Sequence, residues 1–180
     1  MGENATEPVP VILITGTVGS GKTTLAWEIA HVLSERGVPH AAVDCDTLCA
    51  VYPATSKWNA DVMFESLAAL WRIQHAHGAR RLVYAMVLED PGDLDRYRQA
   101  VPGAEITVVR VVAPHELRTE RLRGRMPPGD SLDWHLHRTG ELHEILERAR
   151  YEDFVVENGD RPVRDVALEI LTRAGWLDEG

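Results

Sequence analysis

The sequence predicts an α/β fold in which a parallel β-sheet is covered by helices on both faces. Short apolar segments alternate with segments of helical period along the chain, which is the order of elements that a parallel sheet requires. Residues 80–88 are apolar almost throughout, and residues 105–112 are rich in β-branched side chains, as expected of strands covered on both sides. In such folds ligands bind at the carboxyl ends of the strands, so functional residues are expected there.

The first strand and the first helix enclose a glycine-rich loop. Residues 9–15 form an apolar run, and residues 24–33 place apolar side chains on one helical face. Between them, residues 16–23 match the pattern G-x-x-x-x-G-K-[ST], whose glycines let backbone N–H groups converge at the start of a helix. We expect Lys22 to contact the β- and γ-phosphates of a nucleotide and the Thr23 hydroxyl to bind Mg²⁺. The predicted nucleotide contacts of this loop are Gly16, Thr17, Val18, Gly19, Ser20, Gly21, Lys22, Thr23 and Thr24.

Two carboxylates follow the second predicted strand, residues 41–43. Asp44 and Asp46 are two positions apart, and in an extended segment both side chains project the same way, towards the glycine-rich loop. One carboxylate can hold Mg²⁺ while the other accepts a proton from an acceptor hydroxyl or orients it. We assign Asp46 to the acceptor side and Asp44 to the metal side. The reverse assignment stays open, as does a purely structural role in capping the next turn.

A helix and the third strand occupy the middle of the chain. Asn59 is predicted to cap this helix. Its predicted apolar stripe is Val62, Met63, Leu67, Leu70 and Ile73. After the strand at 80–88, Asp90 is predicted to cap a helix that runs to residue 100. Glu89 resembles the acidic strand end of many ATPases, and its role stays open.

Arginines are concentrated in the helix and loop that follow the fourth strand. Arg118, Arg121 and Arg125 are three and four positions apart, so they share one helical face and form a local anion site in an acidic protein. We expect residues 118–131 to form a short lid that brings Arg121 and Arg125 over the transferring phosphate and excludes water. For any single arginine, the alternative is a solvated face paired with glutamates of the same helix.

Aromatic and histidine side chains are secondary candidates. Tyr52, Trp58 and Phe64 are candidates for the wall of an acceptor pocket above Asp46, although core packing is the more common role of aromatic residues. The histidine pairs at 75/77 and 135/137 diverge on a helix and cannot share a metal ion, so contact with substrate or solvent is their expected role.

The end of the chain predicts a long helix, a fifth strand and a final helix. The long helix is expected from Ser131, its predicted N-cap, to residue 150. The strand follows at 154–156, and a turn at 158–161 leads into the final helix. The predicted apolar side of that helix is Val163, Val166, Ala167, Ile170 and Leu171.

Length and composition bound the function classes. We expect the 180 residues to form one domain, with residues 1–8 as a polar tail. The net charge of −9 argues against non-specific binding to nucleic acid or to an anionic membrane. Cys45 and Cys49 are the two cysteines, which indicates neither a disulfide framework nor a zinc site and favours the reducing cytosol. No signal segment or membrane span is expected.

Four stretches of the sequence resemble the P-loop kinases of small molecules, the group that includes adenylylsulfate kinase, gluconate kinase, shikimate kinase and chloramphenicol phosphotransferase. They are residues 16–23, the acid pair at 44–46, residues 118–125, which resemble the entry to the lid, and residues 155–162. The last stretch resembles the final strand and the turn that packs beside adenine.

This resemblance covers nearly the whole chain. It implies a three-layer P-loop NTPase fold with five parallel strands in the order 2-3-1-4-5, ATP as phosphate donor, Mg²⁺ as cofactor, and Arg161 beside the nucleotide. Cys45 stands where adenylylsulfate kinases have glycine, and no asparagine-arginine pair follows Asp46, which argues against adenylylsulfate as the acceptor. The short lid argues against nucleoside monophosphates. The chain also lacks the N-K-x-D motif that reads guanine, which argues against a GTPase.

We therefore expect a cytosolic ATP-dependent kinase that phosphorylates a hydroxyl of a small metabolite or antibiotic. Its predicted catalytic residues are Lys22, Asp46, Arg121 and Arg125, and Thr23 and Asp44 are the predicted metal ligands. A second hypothesis is a nucleotide-binding switch or accessory ATPase that acts on a protein partner, in which Glu89 matters more than Asp46. A third is a nucleotide-binding module without catalysis. The sequence identifies neither the acceptor nor the oligomeric state.

Overall fold

The computed structural model describes residues 7–177, so most of the predicted tail at 1–8 lies outside the described residues. The chain alternates strands with helices from Val9 onwards. The strands are β1 Val9–Thr15, β2 Ala41–Asp44, β3 Leu82–Ala85, β4 Ala104–Val112 and β5 Phe154–Glu157. The helices are α1 Lys22–Glu35, α2 Ala60–Ala76, α3 Asp93–Ala100, α4 His115–Arg125, α5 Asp130–Ala149 and α6 Val163–Arg173.

The five strands form one parallel sheet in the order β2-β3-β1-β4-β5. The central strand β1 pairs with β3 on one side and β4 on the other, so that Val11 lies opposite both Leu82 and Ile106. The predicted strand order and the predicted fold class are both confirmed. This order brings the ends of β1, β2 and β3 together, which places the glycine-rich loop beside Asp44.

Alternate residues of the sheet face two separate hydrophobic cores. Ile12 and Ile14 of β1 pack with α1 and α6 on one face. Leu13 of β1 packs with α2 and α3 on the other face, where the core includes Leu67 and Tyr97. Because successive residues of a strand point to opposite faces, a continuously apolar β1 serves both cores. The apolar side predicted for the last helix is confirmed, since α6 buries Val166, Ala167, Ile170 and Leu171.

Several predicted helix and strand ends differ in the structure. Strand β3 ends at Ala85 rather than at residue 88, and the Leu88 N–H donates to Thr15 Oγ1 at 2.9 Å instead of continuing a ladder. The prediction of Ser131 as an N-cap is wrong, because α5 begins one residue earlier, at Asp130. The prediction of Ile73 on the apolar stripe of α2 is wrong, because its side chain is 49% exposed. Trp71 lies on the buried face of the helix instead.

Asn59 and Asp90 show how polar side chains shape the loops near the cleft. Asn59 precedes α2 but does not cap it, because its side chain joins the preceding loop, donating to Cys49 O at 2.9 Å and accepting from the Thr55 N–H at 3.0 Å. The Asp90 carboxylate accepts from the Gly92 N–H at 2.8 Å, in the turn that leads into α3. The prediction of Asp90 as the N-cap is wrong, because α3 begins only at Asp93, but the Asp90 side chain has a structural role in the preceding turn.

Candidate active site

The glycine-rich loop between β1 and α1, which we call the phosphate loop (residues 16–23), is packed so closely that its glycines leave no room for a side chain, as Gly16 and Gly21 show most clearly. Gly16 has φ 151°, and a Cβ there would lie 2.4 Å from Val111 O. Gly21 has φ 98°, and a Cβ there would lie 2.2 Å from Asn158 Nδ2. Both values of φ favour glycine, and both contacts are too short for any other residue. The backbone of the loop is therefore held in one shape.

Three side chains from three other parts of the chain hold this shape. Arg118 Nη1 on α4 donates to Thr17 Oγ1 at 2.7 Å, and Thr139 Oγ1 on α5 donates to Val18 O at 2.8 Å. Asn158, just after β5, donates from Nδ2 to Ser20 O at 2.8 Å. Arg118, Thr139 and Asn158 are all buried. Water therefore does not compete for these hydrogen bonds, and breaking one would leave a buried polar group without a partner. The loop is a rigid concavity at the N-terminus of α1, suited to an anion.

Lys22 is buried at the base of this concavity. Its Nζ donates to Gly16 O and Thr17 O, both at 3.0 Å. Burial lowers the pKa of Lys22 to about 8, against the opposing effect of the Asp46 and Asp44 carboxylates, and the charge of Arg125 lowers it further. A buried ammonium with a lowered pKa lacks sufficient negative charge around it. The phosphates of a nucleotide would supply that charge, so the residues present fit a triphosphate.

The acid pair is built on a turn, not on an extended segment. A short 3₁₀ helix, Cys45–Cys49, starts directly after β2, and the Asp44 carboxylate caps it by accepting from the Asp46 N–H at 3.1 Å. The prediction that both acids lie on one extended face is therefore wrong. Even so, the tight turn keeps both carboxylates close enough to Lys22 for their charges to raise its pKa. Asp44 therefore has the predicted capping role and also lies beside the phosphate loop.

Thr23 and Asp44 form the candidate metal site. Thr23 Oγ1 donates to Asp44 Oδ2 at 3.0 Å, which joins the phosphate loop to the end of β2. A hydroxyl and a carboxylate are ligands that suit Mg²⁺, which usually keeps several waters and binds phosphate oxygens as well. Within residues 7–177, no three side chains of histidine, cysteine, aspartate or glutamate converge as a metal cage. The donor set therefore fits Mg²⁺ bound together with a nucleotide.

Asp46 stands inside the cleft, where water reaches its carboxylate although protein surrounds much of it. Partial removal from water raises the pKa of Asp46, and the nearby Asp44 raises it further, while Lys22 lowers it. A carboxylate with a raised pKa is a better proton acceptor than an ordinary aspartate. Cys45 beside it is fully buried in the hydrophobic core, and burial raises the pKa of its thiol.

One cleft of about 1000 Å³ connects the phosphate loop with the space beyond Asp46. This volume is at the upper limit of common ligand pockets, so there is room for more than the phosphates of a nucleotide. Several of the predicted site residues line the cleft: Val18, Gly19, Gly21, Lys22, Thr23, Thr24, Asp46, Arg121, Arg125 and Arg161. The remaining ones, Gly16, Thr17, Ser20 and Asp44, are not part of its surface.

The three predicted arginines of the nucleotide side make different contacts. Arg121 lies against the phosphate loop, with Nη1 3.4 Å from Gly19 O and from Ser20 O. Arg125 lines the cleft near enough to lower the pKa of Lys22. Arg161 also lines the cleft, and its Nη1 donates to Glu169 at 2.6 Å. Arg123 lies apart from these, in a shallow depression on the outer side of α4.

The far end of the cleft, which we call the acceptor end, is walled by aromatic and apolar side chains. The members that belong to it are Trp58, Met63, Phe64, Met86, Tyr97 and Trp134. Trp58 and Trp134 lie with their ring centroids 5.9 Å apart. Phe64 is buried against Tyr97, with a centroid distance of 4.7 Å. Tyr52 is 95% exposed and does not line the cleft, so its predicted place in the acceptor wall is wrong.

An ion pair lies in the lining of this end of the cleft. Arg138 on α5 donates to Glu89, which follows β3, and also to Glu141 at 3.1 Å. The guanidinium of Arg138 lies 5.6 Å from the centroid of the Trp58 ring. Glu89 is therefore bound to an arginine of the acceptor wall, which gives this carboxylate a structural partner. Nearby His135 lines the cleft, whereas His137 is exposed and pairs with Glu141 at 3.2 Å.

Sequence reasoning missed several residues of the site. Asn158 and Thr139 hold the phosphate loop from positions more than a hundred residues away, and their sequence surroundings indicate only a turn and a helix. Trp134 follows the proposed lid on α5, and nothing in its local pattern distinguishes it from a surface aromatic. Their contacts arise from the folded arrangement of α4, α5 and β5 around the loop.

Comparisons with known proteins agree with this geometry. A family model described as adenylylsulphate kinase matches residues 9–53, which contain β1, the phosphate loop, α1 and the acid pair. A UPF0200 protein from Thermococcus onnurineus (strain NA1) is 27% identical over 142 residues, covering 69% of this chain and 72% of the relative.

Solved structures match nearly the whole chain. The tunicamycin resistance protein of Deinococcus radiodurans has a TM-score of 0.63 at 19% identity, covering 94% of this chain and 97% of that one. Shikimate kinase from Acinetobacter baumannii, in complex with shikimate, has a TM-score of 0.58 at 20% identity and covers 93% of both chains. The resemblance to P-loop kinases of small molecules is thereby confirmed, and with it the P-loop fold of five parallel strands.

Proposed function

We propose that this protein is an ATP-dependent kinase that transfers the γ-phosphoryl group of ATP to a hydroxyl of a small molecule. The observation that carries the proposal is the position of Asp46. Its carboxylate lines the same cleft as Lys22, between the phosphate loop and the aromatic acceptor end. A protein that only hydrolyses a nucleotide has no need of a second, apolar compartment beside the phosphates. The matches to an adenylylsulphate kinase model and to a shikimate kinase support the same conclusion.

The residues divide into donor and acceptor roles. The phosphate loop and Lys22 bind the phosphates, Thr23 and Asp44 hold Mg²⁺, and Arg161 lies on the nucleotide side. When bound, Mg²⁺ neutralises charge on the phosphates. Residues 118–131 act as a short lid, in which Arg121 and Arg125 stabilise the charge that develops on the transferring group. Because ATP is the donor and both cysteines are free thiols, the cytosol is the compartment in which we expect this activity.

Asp46 is the proposed general base. As the acceptor oxygen bonds to phosphorus and ADP leaves, the proton of that hydroxyl passes to the Asp46 carboxylate. The raised pKa of Asp46 favours this transfer, since proton acceptors work best when their pKa approaches the pH of the reaction. Asp44 is less suited to this role, because its two oxygens already accept hydrogen bonds from Thr23 and from the Asp46 N–H.

The contacts of Glu89 bear on the alternative of a nucleotide switch. In that alternative Glu89 would polarise the water that attacks the γ-phosphate, and it would need a free carboxylate. Here Glu89 is paired with Arg138 at the acceptor end. We therefore assign Glu89 to the structure of the acceptor wall.

Acceptor-stimulated release of ADP tests the proposal with three variants. We expect Asp46→Asn to lower the stimulated rate by about 10²- to 10⁴-fold, because the general base is lost while its shape is kept. Glu89→Gln should change mainly the KM for the acceptor. Asp165→Asn is the matched control, since Asp165 is an exposed carboxylate on α6 outside the cleft. A rate that falls in Glu89→Gln and is unchanged in Asp46→Asn would overturn the kinase in favour of the switch.

A further inference from the structure

The acceptor end of the cleft is lined by aromatic and apolar side chains and by carboxylates, and this lining indicates a class of substrate. Resting on the proposed kinase function, we propose that Trp58 and Trp134 form an aromatic clamp for the flat, uncharged body of an aromatic alcohol. The acceptor is thus a neutral hydroxyl compound with an aromatic ring system, and not an anionic metabolite. Three independent observations carry this inference: the exposure of the two indoles, the backbone of Trp58 and the charges around them.

Both indoles are about half exposed although they line a cleft. Trp58 is 50% exposed and Trp134 is 45% exposed. Their ring centroids are 5.9 Å apart and their planes are tilted by 57°, so the two rings contact each other as a tilted pair and keep their outward faces free. Each indole therefore presents a large free surface to the cleft, and aromatic faces bind other flat rings by offset or edge contacts.

The backbone of Trp58 is in a strained conformation. Its φ of 59° lies in the left-handed region, which is a clear outlier for so bulky a residue. Asn59 follows with φ 51°, and its side chain fixes the loop by donating to Cys49 O and Val51 O and accepting from the Thr55 N–H. Such strain persists only where the surrounding contacts impose it, and it is concentrated at ligand sites. Here it aims the indole across the cleft at Trp134 and Arg138.

The charges at the acceptor end disfavour an anion. Among the described residues that line this end, Arg138 is the one arginine or lysine, and the two carboxylates of Glu89 and Glu141 share its guanidinium. Asp93, also in the lining, pairs with Arg96, which in turn has a second carboxylate partner. Asp46 adds a further negative charge. A carboxylate, sulfate or phosphate on the acceptor would therefore meet an excess of negative charge at this end.

The other cations near the two indoles either lie at the phosphate loop or do not line the cleft. Lys22, Arg121 and Arg125 lie at the phosphate loop and its proposed lid, and Arg161 is paired with Glu169. Lys57 Nζ lies 5.9 Å from the centroid of the Trp58 ring, but Lys57 is not part of the cleft lining. The acceptor end therefore offers aromatic faces, thioethers and hydrogen-bond acceptors, which together suit an aromatic alcohol.

Three probes that share one two-ring carbon skeleton separate the contributions of flatness and charge. They are 2-naphthylmethanol, its anionic twin 6-(hydroxymethyl)-2-naphthoate, and the saturated decahydro-2-naphthylmethanol, each titrated against the full chain by ligand-observed NMR. We expect the neutral aromatic probe to bind about threefold to tenfold more tightly than the saturated one, because only a flat ring gains the aromatic contacts. It should bind roughly tenfold more tightly than the anionic twin. Equal or tighter binding of the anionic twin, or no binding of the aromatic probe, would overturn the proposal.

Variants of the clamp provide the second arm of the test. Trp134→Ala should lose the preference for the flat probe, whereas Trp27→Ala should keep it, since Trp27 is 53% exposed on α1 and outside the cleft. Trp58→Gly should lose the preference and yet melt at an equal or higher temperature, because glycine relieves the left-handed backbone. Trp58→Phe should restore most of the preference. An unchanged preference in Trp134→Ala and Trp58→Gly would contradict the clamp.

The two proposals fail in different ways. A protein that binds 2-naphthylmethanol against the two indoles but transfers phosphate to no alcohol keeps the clamp and overturns the kinase. A protein that phosphorylates anionic alcohols only, with no affinity for the aromatic probe, keeps the kinase and overturns the clamp.

Discussion

The two ends of the cleft are built in different ways. At the nucleotide end, a continuous segment of eight residues forms the site, and its backbone is fixed by Arg118, Thr139 and Asn158 from three other elements. At the acceptor end, side chains from the loop before α2, from α2, α3 and α5 meet across an open space. The first site is built largely on backbone that its neighbours hold in one shape. The second is made of side chains, several of them half exposed.

This difference explains which part of the function can be general and which can be particular. Phosphates are the same in every nucleotide, so a rigid backbone cradle suits them. Acceptors differ in shape and charge, and side chains on a rigid scaffold can change without loss of the fold. We therefore expect substitutions at the nucleotide end to abolish activity or folding, and substitutions at the acceptor end to change substrate preference.

The largest effect is expected from loss of the buried ammonium. Lys22→Met should lower phosphoryl transfer by about 10²- to 10³-fold, because a positive charge aimed at the transferring group is lost. Lys57→Met is the matched control, since Lys22 and Lys57 are the two lysines of the sequence and Lys57 is exposed outside the cleft. Its affinity for ATP should equal that of the parent. An active Lys22→Met protein would show that the loop does not work through its lysine.

A smaller effect, on stability, is expected from a side chain at Gly16. Gly16→Ala should lower the free energy of unfolding by at least ~2 kcal/mol, because of left-handed strain and the contact with Val111 O. Gly140→Ala serves as the control: Gly140 is inside α5, and a Cβ there would have no other atom within 4 Å, so alanine should add about 0.5 to 1 kcal/mol. Urea unfolding of both variants measures the difference. Equal stabilities would mean that the loop is not held in one shape.

The affinity for ATP should depend on pH through Lys22. The pKa of Lys22 is lowered to about 8, and bound phosphates favour its charged form, so binding takes up a proton above that pH. We expect the affinity to be constant below about pH 8 and to fall by up to roughly tenfold per pH unit above it. Lys22→Arg, which stays charged, should remove this slope. Calorimetric titrations with ATP from about pH 7 to about pH 9.5 would check it, and a flat profile for the parent protein would contradict the assignment.

No measurable effect on stability or on acceptor binding is expected from replacing Tyr52, which lies outside the acceptor end. Tyr52 is 95% exposed and outside the cleft. Tyr52→Ala should therefore change the free energy of unfolding by less than about 0.5 kcal/mol, as is usual for surface positions. The KM for the acceptor should be unchanged as well. A raised KM would extend the acceptor site to a loop that the structure leaves outside it.

The fold and the nucleotide end could be predicted from the sequence because their signals are local. The residues of the phosphate loop are consecutive, and the alternation of strands and helices specifies a parallel sheet. Asp44 and Asp46 can be identified for the same reason, although their geometry cannot, because a 3₁₀ turn replaces the extended segment. Propensities do not determine such a turn when one carboxylate can cap it through the backbone.

The acceptor end could not be predicted, because its members are joined only by the tertiary structure. Trp134 and Trp58 are far apart in sequence, and each reads as a surface or core aromatic by itself. Asn59 has the sequence signature of a helix cap, but its side chain fixes a loop instead. Closeness in sequence predicts Tyr52 in the acceptor wall, whereas the structure places it in solvent.

The fate of the γ-phosphate tests the central claim most directly. The protein is incubated with an extract of small molecules, with Mg²⁺ and with ATP radiolabelled on its γ-phosphate. The products are then separated by chromatography. The kinase account predicts that the label enters an organic small molecule, and that Lys22→Met and Asp46→Asn each prevent this while Asp165→Asn does not. Label found only as inorganic phosphate or on protein, with Asp46→Asn as active as the parent, would contradict it.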